Sequence, residues 1–167
     1  MLLGIGFGGF VDGIVLHQIL QWHHMLTDTG DHPATTVAGL EANTLADGLF
    51  HVATWVVAFA GANLTIRAWQ RRRRAPPWRV QVGLLLAGWG GFNLVEGIIN
   101  HHLLAIHHVR DDAGGPVSWD LGFLLLGAVL VGVGVALART SKAASGVSQA
   151  ARPQTSNPAD QEQLTDR

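Results

Sequence analysis

Asp12-Gly13-Ile14-Val15-Leu16-His17-Gln18-Ile19-Leu20-Gln21-Trp22-His23-His24 is echoed 84 residues later by Glu96-Gly97-Ile98-Ile99-Asn100-His101-His102-Leu103-Leu104-Ala105-Ile106-His107-His108. An acid, a glycine, one histidine and a histidine pair recur in register. Imidazole and carboxylate are groups that hold transition metals. Both stretches lie in apolar sequence long enough to cross a bilayer, where ionisable groups are costly and usually functional. The expected fold is therefore all-α: a polytopic membrane four-helix bundle built from two duplicated helical hairpins.

Working outward, four stretches reach the roughly 20 mostly apolar residues a span needs: 2–26, 47–69, 79–108 and 117–137. They define an expected four-span domain over residues 1–139. The N-terminus lacks a basic region and a small-residue cleavage site, so it reads as a retained span. From Thr140 onward the chain turns polar, and residues 140–167 are expected to form a disordered cytoplasmic tail.

Basic residues set the expected orientation. Arg67, Arg71, Arg72, Arg73, Arg74 and Arg79 flank the loop between spans two and three, and Arg139 and Lys142 follow span four. The opposite loops hold only Arg110, together with Asp28, Asp31, Asp111 and Asp112. The positive-inside rule places both termini in the cytoplasm. A net charge of −1 gives no reason to expect nucleic acid. The absence of cysteine excludes disulfides, thiolate zinc sites, cysteine-held iron–sulfur clusters and covalent c-type haem.

With that topology, eight of the nine histidines fall toward the outer side, and only His32 lies in a loop. The first-choice metal ligands are His17, His51 and His101. Asp12, Asp47 and Glu96 follow, as ligands or as groups orienting them. On straight helices, His17 and His24 share a face but stand about 10 Å apart along the axis. Two layers are therefore expected, with His23, His24, His107 and His108 forming an outer set: a second site or an entry point for ions. Span four begins Trp119-Asp120-Leu121-Gly122-Phe123 and carries an acid but no histidine.

Imidazole suits copper, iron, zinc and nickel. Copper is the leading expectation, ahead of iron or zinc, with a redox or metal-handling role and an extracytoplasmic metal or electron-transfer partner. A metal-dependent oxidoreductase is one form that role could take. The main alternative is a haem-b electron-transfer protein with His17 and His101 as axial ligands, beside Gly13 and Gly97. A proton or ion transporter is a further alternative, although the ionisable groups cluster in one half of the membrane.

The segment from Gly9 to His24, the run Asp47-Gly48-Leu49-Phe50-His51 and the segment from Asn93 to His108 together resemble a bacterial family of small polytopic membrane proteins, domain-of-unknown-function family 2243. The resemblance covers residues 4–138. It implies four membrane helices in a bacterial inner membrane and supplies no reaction.

Overall fold

The computed structural model describes residues 1–72 and 76–150. Arg73 and Arg74 of the arginine loop, and residues 151–167 of the polar tail, lie outside them. The described chain is entirely helical apart from its turns. Helix α1 (Leu2–Phe10) continues without a break into a π-wound segment, Val11–Ile19. Helix α2 is Val37–Arg72. Helix α3 (Trp78–Glu96) also passes into a π-wound segment, Gly97–Leu103. A 3₁₀ turn at Asp111–Ala113 leads to α4 (Val117–Ala150), which runs into the region expected to be tail.

Four segments have the length and apolarity to cross a membrane: Leu2–Ile19, Val37–Arg71, Trp78–Leu103 and Val117–Arg139. Helices α1 and α3 are central. They pack on each other, α2 packs on α1 and α4 packs on α3. Among the described residues, α2 and α4 do not touch.

This arrangement inverts the usual globular pattern. Among the described residues, the largest fully buried side chains are all polar: His17, His23, His101, His107, Asn43, Asn93, Asp47 and Asp120. Leu45, Leu49, Val52, Trp55, Val56 and Phe59 of α2 are exposed, as are Leu121, Leu125 and Val129 of α4. An apolar exterior around a polar interior is stable when lipid is the solvent. Lipid gives no hydrophobic drive between helices, so their association rests on close packing and internal hydrogen bonds.

Glycine permits that closeness where α1 crosses α3. A Cβ on Gly4 would collide with the backbone carbonyl of Leu85, and one on Gly88 would collide with that of Met1. The two collisions are equivalent contacts, one from each helix, because Gly88 follows Gly4, and Leu85 follows Met1, by 84 positions.

Candidate metal centre

The site begins where each central helix changes its winding. Across the first π-wound segment, Leu20 N–H donates to Val15 O at 2.8 Å and Trp22 N–H to Leu16 O at 3.0 Å. Gln21 then takes the left-handed backbone region (φ 51°) and the helix stops. In the other half, Leu104 N–H donates to Ile99 O at 2.8 Å, Ile106 N–H to Asn100 O at 3.0 Å, and Ala105 has φ 47°. A non-glycine residue with positive φ is uncommon, and such outliers concentrate at functional sites. The chain is also bridged across the halves. Asp28 N–H donates to Ile106 O and Asp112 N–H to Trp22 O, each at 3.0 Å.

The reversal has a direct consequence for the ligands. On straight helices His23 and His107 would lie well beyond His17 and His101. Instead the chain folds back and returns them to the same cluster, so the two expected layers do not form. The ring centroids of His17 and His23 are 4.4 Å apart, and those of His101 and His107 are 5.1 Å apart. His23 and His107 stack across the halves at 4.6 Å with an interplanar angle of 6°.

His17 and His23 are held by the Nδ1 side, whereas His101 Nδ1 has no hydrogen-bond partner and His107 makes its shorter contact through Nε2. His17 Nδ1 lies 2.8 Å from Asp47 Oδ1. His101 Nδ1 lies 3.5 Å from Asp120 Oδ1. His23 Nδ1 lies 3.0 Å from Val109 O, and His107 Nδ1 lies 3.4 Å from Met25 O. A carbonyl or carboxylate partner on Nδ1 makes that nitrogen the N–H donor and leaves Nε2 as a lone pair, the form that binds metal. The ligand atoms of His17, His23 and His107 lie within 4.8 Å of one another, as do those of Glu96, His101 and His107.

Two acids join these rings. Asp12 Oδ2 is 3.4 Å from His17 Nε2. Glu96 Oε1 is 3.0 Å from His107 Nε2 and 3.3 Å from His101 Nε2. All six side chains are buried. Asp12 Oδ1, His17 Nε2, His23 Nε2, Glu96 Oε2 and His101 Nε2 have no hydrogen-bond partner. His107 Nε2 donates to Glu96 Oε1 at 3.0 Å when it carries the ring proton; with that proton on Nδ1, facing Met25 O at 3.4 Å, the Nε2 lone pair and the carboxylate can share a cation.

The other expected residues take different places. Asp47 does not belong to either close set. It accepts from His17 and, through Oδ2, from His24 Nδ1 at 2.8 Å, and from Met25 N–H at 2.9 Å and Gln18 Nε2 at 3.2 Å. His24 and His108 lie behind the cluster, each with Nδ1 against a buried carboxylate. His51 stacks on Phe10 at 6.5 Å, and its Nε2 is buried without a partner. It shares in neither close set.

Sequence reasoning gave no site role to Asp120, which is the counterpart of Asp47. Asp120 accepts from His108 Nδ1 at 2.7 Å and from Val109 N–H at 2.9 Å. The signal was present as an Asp-x-x-Phe spacing at the start of both flanking spans: Phe50 stacks on His17 at 5.7 Å, and Phe123 lies 5.3 Å from His101. Asn93, buried with an unpartnered Oδ1, lines an apolar cavity of about 340 Å³ that reaches Asp12.

Above the site, Trp22 and Trp119 meet edge-on at 5.3 Å under the Arg110 guanidinium, which lies 4.5 and 5.1 Å from their rings. In the adjoining turn, burial, with Asp28 nearby, raises the Asp111 carboxyl to about 6.

No curated protein and no solved structure matches the chain at a significant level. A family model described as a predicted membrane protein matches residues 1–141, which takes in all four spans and every residue of the cluster, and the chain therefore belongs to the DUF2243 family of predicted membrane proteins.

Proposed function

We propose that this protein holds a transition-metal centre in the outer half of the bilayer and serves a redox or metal-handling role there. The observation that carries the reading is the convergence of buried, unpartnered ligand atoms from two helix ends: His17 Nε2, His23 Nε2, His101 Nε2, Asp12 Oδ1 and Glu96 Oε2. Burying such groups without a partner is expensive, and a bound cation offsets that cost. Asp47 and Asp120 act as orienting partners behind the imidazoles and raise their basicity.

Copper suits the imidazoles, while the two carboxylates bring iron level with it; zinc would fit the donors but not a redox role. A bound ion is favoured over haem b because the rings of His23 and His107 pack between His17 and His101, where a macrocycle would have to lie. The 84-residue correspondence of α1 with α3, and the Asp-x-x-Phe runs 73 residues apart at the starts of the other two spans, support an origin of the two hairpins as copies of one unit. Arginine-rich sequence between α2 and α3 supports the orientation with both termini in the cytoplasm of a bacterial inner membrane.

The test is elemental analysis with an absorption spectrum on purified wild type and His17→Ala. Bound copper or iron, reduced in the variant, is the expected outcome. Metal-free wild type contradicts the proposal, and a Soret band transfers the site to haem.

A further inference from the structure

We propose that the centre takes two transition-metal ions side by side, one held by Asp12, His17 and His23 and the other by Glu96, His101 and His107. This rests on the metal reading above and deepens it.

Spacing is the first argument. The ligand atoms divide into two sets of three that share His107, and among the described residues they form no set of four. Donors bound to one ion at about 2.0–2.2 Å lie at most about 4.4 Å apart. One ion therefore cannot gather all six residues as they stand; two adjacent ions can be served by the two sets, with Asp12, 3.4 Å from His17 Nε2, drawn in beside His17 and His23 in place of the shared His107.

The second argument assigns the shared residue. One Nε2 lone pair serves one ion. The 84-residue correspondence places His107 with Glu96 and His101, and it assigns Asp12 to His17 and His23. Local distances agree: Asp12 Oδ2 to His17 Nε2 is 3.4 Å, and Glu96 Oε1 to His101 Nε2 is 3.3 Å.

The third argument is the relation between the sets. His23 and His107 are nearly parallel at 4.6 Å, each with Nδ1 turned outward to a backbone carbonyl of the opposite half. Donor atoms of the two rings lie within 4.8 Å of each other, so ions bound to them would be near neighbours, as in two-metal sites. Each ion would then have two imidazoles and one carboxylate, a donor set that leaves coordination positions open for a bridging solvent or a small substrate. One carboxylate per divalent ion also divides the buried negative charge evenly.

The experiment loads metal-free wild-type protein in detergent with Cu(II), removes free ion, and measures copper per chain together with the electron paramagnetic resonance spectrum. The pair predicts two ions per chain and a spin-coupled signature, either a half-field transition or loss of the mononuclear signal. His23→Ala and His107→Ala are each expected to fall to one ion with an isolated mononuclear spectrum. One ion per wild-type chain with an isolated spectrum overturns the pair and leaves the metal reading in place. No bound ion overturns both. The wild-type spectrum decides the matter even if a variant does not fold.

Discussion

The imidazoles of this protein are useful because of what stands behind them. Asp47 receives four donors, two of them histidine Nδ1 atoms, within 2.8–3.2 Å. That geometry fixes the tautomer of His17 and points its lone pair at the cluster. Asp47→Asn replaces one acceptor oxygen with an amide and removes the charge. Loss of such an orienting partner typically weakens metal binding about 10–100-fold. A titration of the purified variant with Cu(II) is expected to show that loss, while Thr44→Ala, an exposed neighbour on α2, is expected to match wild type. Equal affinity in Asp47→Asn would assign Asp47 to helix packing alone. His17, His101, Asp12 and Glu96 were legible in the sequence because the spacing repeated. Asp120 was not, because its histidine partner, His108, lies across the turn 12 residues earlier.

At the level of elements, two departures from ideal helix make the site. Winding Val11–Ile19 and Gly97–Leu103 as π-helix and then reversing at Gln21 and Ala105 returns His23 and His107 to the rings they would otherwise have left behind. Hydrophobic periodicity cannot reveal this, since π and α windings of an apolar segment have nearly the same composition. The sequence therefore read correctly as four spans but placed the histidines in two layers. The close crossing of α1 and α3 is the second device. A side chain at Gly88 would press on the α1 backbone at Met1 and Gly4. Gly88→Val is expected to cost about 1–3 kcal/mol of stability through overpacking and to lower metal retention with it. Gly132→Ala, where nothing lies within 4 Å, is expected to be neutral. Thermal unfolding in detergent with metal analysis of both variants checks this, and a fully stable, metal-replete Gly88→Val would show that the crossing tolerates separation.

Across the whole molecule, polarity runs inside out, and the site lies near the ends of α1 and α3 that the proposed orientation puts on the extracytoplasmic side. Absence of cysteine makes that orientation simple to examine. Asp31→Cys and Arg71→Cys, both at exposed positions, are expected to respond oppositely to a membrane-impermeant maleimide in intact cells, with Asp31→Cys labelled and Arg71→Cys protected. The reverse pattern would put the centre on the cytoplasmic side. The central claim is that histidines from both halves of the chain bind the same centre, and X-ray absorption at the metal edge of the purified protein tests it most directly. The account predicts nitrogen and oxygen neighbours at about 2.0–2.2 Å with the outer-shell scattering of several imidazoles, diminished in both His17→Ala and His101→Ala. A bound metal whose spectrum lacks imidazole scattering, or is unchanged in both variants, would contradict it.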